Sequence, residues 1–312
     1  MVQAGVGIAA AIAAIAEDTR DPPLRLALQQ MTRETGRGRT LSAAMAAHPR
    51  VFAPLTLAMI EVGERGGRLE AALRGLAEYY EREHELRHLL TRELTYPIIL
   101  FGAIILIPLI GNVLRVWVTD GLPAALGAGV AQLLRYAIFL GIPAAAVTFV
   151  VRRMAASAQG RVRLHRFLLG IPVVGPVLRK LALARFCRAL ASLYASGVLL
   201  GAAVRLSADA TGNDYLRERL SAAAGHIDTG GSLADALERS GVLPATVLSM
   251  IRTGERTGDL DTLAHNVAAH LELEARTAIS QLAVTLTPAA IIIAGVIVGI
   301  MVISFYAGLY AF

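Results

Sequence analysis

The chain has 312 residues, 55% of them apolar, and its mean hydropathy of +0.56 is too high for an ordinary water-soluble protein, so part of it belongs in a bilayer. The net charge is +6, but Lys180 is the single lysine among 30 basic residues, so the balance reflects arginine usage and carries little functional weight. One cysteine, Cys187, excludes an intramolecular disulfide and any multi-cysteine metal knuckle, and reads as a small packed apolar residue.

In chain order, Gly5 to Ala16 reads as a short apolar helix stopped by Glu17, Asp18 and Arg20. It lacks the positive start and polar cleavage region of a signal peptide. Asp21-Pro22-Pro23 is a cap and helix start, because proline in the first turn gives up only hydrogen bonds that would not form anyway. That helix runs Leu24 to Thr35, a short one follows from Leu41 to Ala47, and Pro54 opens a third. After the turn Gly63 to Gly67, a long helix from Leu69 to Arg92 places Leu69, Leu73, Leu76, Tyr80 and Leu86 along one side.

Leu94 to Leu114 is 21 residues without a charge, about 30 Å of helix and enough for a bilayer core. Arg115 to Arg135 is expected as a loop with a weak helix from Ala124 to Leu134. Tyr136 to Val151 forms a second uncharged run that Leu133 and Leu134 extend if Arg135 snorkels. Arg152, Arg153, Arg161, Arg163 and Arg166 follow at once, and arginines at that density beside a span mark the cytoplasmic side.

Beyond the connector Ile171 to Pro176, six helices are expected: Val177 to Ser196, Leu199 to Ala210, Asp214 to Ile227, Leu233 to Arg239, Pro244 to Thr253, and Asp259 to Arg276. Phe186, Leu190, Leu193 and Tyr194 are the candidate core of the first. From Thr277 to Phe312 there is no charge, and Pro288 to Leu309 is the third expected span. The predicted class is therefore all-α: an integral membrane protein with two repeated cytoplasmic helical-bundle domains and three transmembrane helices. The predicted division is 1–92 (first domain), 93–115 (span 1), 116–133 (periplasmic loop), 134–152 (span 2), 153–180 (connector), 181–284 (second domain), 285–309 (span 3) and 310–312 (periplasmic tail). No segment alternates over a strand's length.

The two domains are copies. Ile60 to Leu69 returns as Ile251 to Leu260 after 191 residues, carrying Gly63-Glu64-Arg65 onto Gly254-Glu255-Arg256, Gly67 onto Gly258 and Pro97 onto Pro288. One more residue of shift maps Gly5 onto Gly197, Leu24 onto Leu216, Gly38 onto Gly230 and Leu41 onto Leu233. The helix Val177 to Ser196 has no counterpart in the first copy, which points to a truncated or mis-assigned start.

The repeated Gly-Glu-x-x-Gly-x-Leu turn is no phosphate loop, since no Lys-Ser or Lys-Thr follows its glycines. One reading is structural: Gly63 and Gly254 stop a helix in a left-handed conformation, Gly67 and Gly258 free the backbone for the next start, and Leu69 and Leu260 plug the bundle. The other adds a partner contact, with Glu64, Arg65, Glu255 and Arg256 exposed on a rigid corner. His84-Glu85-Leu86-Arg87-His88 fits the spacing at which two histidines one turn apart share zinc while a glutamate acts as base. Against a metallopeptidase, no third ligand is well placed and the equivalent Ala275 to Ile279 has no histidine. The other histidines form no ligand spacing. A transporter is disfavoured because the spans lack an ionisable residue, and a nucleic-acid module because the arginines cluster where topology requires them.

The order Leu183-Ala-Arg-Phe-Cys-Arg-Ala-Leu-Ala-Ser-Leu-Tyr-Ala-Ser-Gly-Val198, then Ala210-Thr-Gly-Asn213, Gly231-Ser-Leu-Ala-Asp-Ala-Leu237, Met250-Ile-x-x-Gly-Glu-x-x-Gly-x-Leu260 and Pro288, resembles the type II secretion system F protein family. That family includes the inner-membrane platform proteins of type IV pilus machines. The resemblance implies two cytoplasmic six-helix domains, three spans, no catalysis and no cofactor. It further implies coupling of a hexameric ATPase to the extraction and polymerisation of pilin or pseudopilin subunits, whose transmembrane helices the spans would meet. Other inner-membrane assembly proteins and further copies of the chain are implied partners, with the C-terminus periplasmic. Departures from the family pattern are the missing first helix, the short start and the tail Ser304 to Phe312.

Overall fold

A computed structural model describes residues 6–172 and 174–309, and every described element is helical. The helices are α1 (Ile8–Asp18), α2 (Pro22–Gly36), α3 (Leu41–Ala46), α4 (Pro54–Arg65), α5 (Leu69–Asp120), α6 (Leu122–Tyr136), α7 (Ile142–Ala155), α8 (Ala158–Leu169), α9 (Val174–Ala195), α10 (Leu200–Ala210), α11 (Asp214–Asp228), α12 (Leu233–Ser240), α13 (Ala245–Thr257) and α14 (Leu260–Leu309). A π-helical turn, Ala137–Gly141, joins α6 to α7. The chain divides into one unit of residues 1–85 and 178–275 and another of residues 86–177 and 276–312.

The first unit holds both copies of the repeat, and local chemistry sets its helix ends. Asp21 accepts the Leu24 N–H ahead of α2, and Asn213 accepts the N–H groups of Tyr215 and Leu216 ahead of α11. Thr40 and Ser232 cap α3 and α12, and Gly241 closes α12 at φ 66°. The core comprises Met59 and Ile60 of α4, Leu183, Phe186 and Leu193 of α9, Val204, Leu216, Leu220, Leu237 and Leu271, all fully buried. Of the side chains expected inside, Leu76 and Leu190 are buried, whereas Tyr194 is half-buried and Tyr80 is exposed, its hydroxyl 2.7 Å from Thr56 Oγ1.

One charged pair lies within this apolar interior. Arg188 of α9 donates from Nε to Glu272 Oε1 of α14 at 2.6 Å, with both side chains about nine-tenths buried. Each charge stays buried because the other is there. Arg185, three residues earlier, pairs with Glu83 of α5 at 2.8 Å and ties α9 to the first copy.

The second unit is built the opposite way. Its described core cluster is Val177, Ala278 and Ile279, with Leu89 and Leu90 against it. Elsewhere large apolar side chains face outward: Ile98, Ile99 and Trp117 of α5, Leu126 and Leu133 of α6, Val147 and Phe149 of α7, Ile292 and Ile303 of α14. Helices apolar on their outer faces suit lipid rather than water.

Several sequence expectations change here. α5 runs on to Asp120 and α6 occupies Leu122–Tyr136, so the expected loop between Arg115 and Arg135 is helical apart from a sharp break at Gly121, φ 85°. The charge at Arg115 ends the apolar run but not the helix. Pro143 lacks an N–H, and the π turn precedes it, dividing the second expected span. The arginines expected in the connector lie on α7 and α8, and the sixth helix and third span of the second copy are one helix with Pro288 inside it.

Three spans were expected; by length and composition the described residues yield one, over Ala264–Ile300, where the most apolar window has hydropathy 2.3 and is 6% buried. A second counts only if α8 and α9, bent by 116° at their junction, are taken as one broken span. Leu106–Val118 is a shorter apolar stretch of α5.

Candidate functional site at the repeated turn

The turn between α4 and α5 closes as a Schellman motif. The Gly67 N–H donates to the Glu64 carbonyl at 3.2 Å and the Arg68 N–H to the Gly63 carbonyl at 2.7 Å, with Gly67 left-handed at φ 63°. Gly258 takes the same part after α13, at φ 75°. This corrects the expected roles of the glycines: Gly63 and Gly254 do not stop a helix but lie buried inside α4 and α13. A Cβ built on Gly63 would come 2.5 Å from the Cβ of Ala72, so glycine lets α4 and α5 approach at the corner. Leu69 is half-buried at the start of α5; Leu260 opens α14, and its side chain lies outside the described residues.

The two glutamates turn inward. Glu64 accepts the backbone N–H groups of Leu41 (2.7 Å) and Ser42 (3.0 Å) and the Ser42 hydroxyl (2.6 Å). Glu255 accepts those of Leu233 (2.7 Å) and Ala234 (3.1 Å) and the Ser232 hydroxyl (2.6 Å). Each carboxylate thus satisfies the first N–H groups of a helix more than 20 residues earlier, where the helix dipole also favours negative charge. Partial burial pushes the Glu64 carboxyl up, but the hydrogen bonds from Ser42 and Leu41 outweigh it and leave the group below its ordinary value.

The arginines face solvent. Arg65 pairs with Glu61 at 2.5 Å one turn back, with 79% of its side chain exposed. Arg256 is exposed and has no ion pair among the described residues. Near it Arg252 pairs with Glu238 and Asp235, and hydrogen bonding to Glu238 with the charge of both carboxylates raises its guanidinium further. The corner therefore presents cations outward and holds its carboxylates behind them.

His84 and His88 both lie on α5 and are exposed. Glu85, the would-be base between them, pairs with Arg82 at 3.1 Å, and no group of three His, Cys, Asp or Glu suited to a metal occurs among the described residues. What sequence reasoning missed is the pair of Arg188 and Glu272 and the cleft of about 540 Å³ that Arg188 helps to line. A signal existed: Arg188 stands in the all-round apolar run Phe186 to Leu190, where a charge requires a buried partner.

The sequence model described as type II secretion system (T2SS), protein F matches residues 1–113 and 186–308, one copy of the repeat in each stretch. The type IV pilus assembly protein PilC of Thermus thermophilus is 32% identical over 99% of this chain and 79% of its own length. The type II secretion system protein F of Pseudomonas aeruginosa is 30% identical over 97% of this chain and 78% of its own, and that of Vibrio cholerae 28% identical over 86% and 69%. With the corner built twice on one plan and the sequence model matching both copies, the chain belongs to the type II secretion system protein F family, inner-membrane platform proteins of type II secretion and type IV pilus machines.

Proposed function

We propose that the protein couples a cytoplasmic hexameric ATPase to the extraction and polymerisation of pilin-like subunits, with both repeats in the cytoplasm, three spans and a periplasmic C-terminus. The observation that carries this reading is that residues 1–85 and 178–275 form one compact unit. A body pinned by contacts such as Glu83 to Arg185 cannot straddle a bilayer, so any crossing between residues 86 and 177 comes in pairs. α14 then adds one crossing, and the outward-facing apolar side chains of α5, α6, α7 and α14 supply the lipid-facing and subunit-facing surfaces. The arginine bias of α7 and α8 supports the same orientation.

The corners at Arg65 and Arg256 are the proposed ATPase contacts, with Glu64 and Glu255 holding them from behind. Platform function further implies self-association and contact with other assembly proteins of the inner membrane. Two measurements test this. Single cysteines introduced at Arg65 and Arg256 should label from the cytoplasmic side only; labelling of the two from opposite sides overturns the topology. Arg65→Glu with Arg256→Glu should weaken co-purification of the cognate ATPase while the fold survives, and undiminished binding removes the corners from the contact.

A further inference from the structure

The first unit contains a cleft of about 540 Å³ between the start of α5 and the end of α9. One wall is Gly67, Ala71 and Gly75, the facing wall Ala191, Ser192 and Ala195. Small side chains leave the space open, Glu70 and Arg74 on the rim pair with each other at 2.9 Å, and Arg188, Arg68 and Ser192 keep donors unspent among the described residues. Arg188, 8% exposed, lines the cleft and spends Nε on Glu272 and Nη1 on His265 Nδ1, at 3.4 Å. Its Nη2 has no protein acceptor among the described residues, yet no buried side-chain nitrogen is left unsatisfied. The remaining guanidinium N–H groups therefore meet solvent, and the cleft is the opening that Arg188 lines. Arg68, also on the lining, is exposed, and among the described residues it forms no ion pair and the Ser192 hydroxyl donates to no protein group.

We propose that this cleft binds a single oxyanion group, a carboxylate or a phosphate monoester carried by a small molecule. A guanidinium held in place by a buried carboxylate keeps its remaining N–H groups pre-organised for an oxyanion and loses little entropy on binding. Arg188 supplies its Nη2 N–H groups at the floor, Ser192 a hydroxyl on the wall, and Arg68 a mobile cation that closes over the ligand. The volume lies within the range of small-molecule sites. Glu70 and Glu78 on the same lining disfavour a highly charged polyphosphate, and among the described residues no Phe, Tyr or Trp lines the cleft to stack on a nucleobase, the His265 ring being held against Arg188. The ligand class is accordingly a compact mono- or dianion. Bound there, it bridges α5 of the first copy and α9 of the second, the same two helices that Glu83 and Arg185 join, and stiffens the unit between the corners.

The test is equilibrium binding and thermal unfolding of the full chain in detergent, with succinate and glycerol 3-phosphate as probes. Saturable binding of either supports the proposal, and the stronger one identifies the oxyanion. Arg68→Ala should weaken it at least about five-fold, about 1 kcal/mol, and leave unfolding without ligand unchanged. Ser192→Ala should weaken it less, and Arg65→Ala, outside the cleft, should have no effect. Absence of saturable binding of both probes up to about 10 mM, ten-fold beyond a millimolar Kd, overturns the proposal. So does equal binding by wild type and Arg68→Ala.

Discussion

The Glu64 carboxylate and the Ser42 hydroxyl meet at 2.6 Å, and 191 positions later Glu255 meets Ser232 at the same distance. The serines are not equivalent: Ser42 is the second residue of α3, whereas Ser232 is the N-cap of α12 and aligns with Thr40. What the two copies share is the carboxylate over the first N–H groups of the short helix; the hydroxyl comes from whichever side chain reaches it. The Gly-Glu sequence is thus a long-range cap that binds each corner to its own bundle.

Removing that cap should cost stability. Glu64→Ala leaves two helix N–H groups and a hydroxyl without their charged acceptor, and Glu255→Ala does the same in the second copy. Each should destabilise by about 2 kcal/mol, within the range for hydrogen bonds to charged groups. Arg65→Ala, whose ion pair is exposed, should change stability by less than about 0.5 kcal/mol. Denaturant unfolding of the purified variants measures both, and equal effects of Glu64→Ala and Arg65→Ala contradict the capping account.

The same bond has a pH signature. The folded Glu64 carboxyl lies below its ordinary value of 4.5, so the unfolded chain binds more protons and stability rises with pH through this window. The contribution is complete above about pH 4.5 and is lost as pH falls through the folded value. Glu64→Gln should flatten that part of the stability profile, and an unchanged slope between wild type and variant would count against the hydrogen-bond assignment.

Helix starts were legible because caps are local: Asp21 before Pro22-Pro23 and Asn213 before Asp214 declare themselves within four residues. The all-α class and the duplication were legible from periodicity and from the 191-residue shift. Which glycine turns left-handed was not. Gly63 and Gly67 are chemically alike, and only the approach of Ala72 assigns the first to close packing and the second to the turn. The inward direction of Glu64 was equally hidden, because its partners lie 22 and 23 residues back. Hydropathy marked the apolar runs but not the helix ends, since Arg115 terminates one and not the other.

The close approach at the first corner predicts a reciprocal pair of variants. Gly63→Ala forces two Cβ atoms together and should cost about 1 to 3 kcal/mol through overpacking. Combining it with Ala72→Gly removes the clash at the cost of a glycine within α5, about 1 kcal/mol. The double variant should therefore be more stable than the sum of the singles by at least about 1 kcal/mol. Strict additivity would mean that α4 and α5 separate freely at this point.

The pair of Arg188 and Glu272 predicts a sharper non-additivity. Arg188→Met or Glu272→Leu alone strands a buried charge and should destabilise by about 3 to 5 kcal/mol. The double variant replaces both with apolar volume and should recover most of that loss. Chemical unfolding of the four proteins closes the cycle; a double variant as unstable as the worse single shows that packing, and not charge pairing, dominates there.

Cys187 predicts silence. It is 2% exposed, and burial pushes its thiol up to about 12 from an ordinary value of 9.0. At pH 8 the folded thiol therefore stays protonated and unreactive. A maleimide should therefore leave the native chain unmodified under conditions that fully label a cysteine placed at Arg256, and should react once the chain is denatured. The sign of the linkage follows: above about pH 9 the unfolded thiol ionises while the folded one does not, so stability falls as pH rises, and Cys187→Ala should remove that decline. Native labelling at a rate comparable to the Arg256 variant would mean that α9 opens readily, and the compact unit would lose the rigidity on which the proposed topology depends.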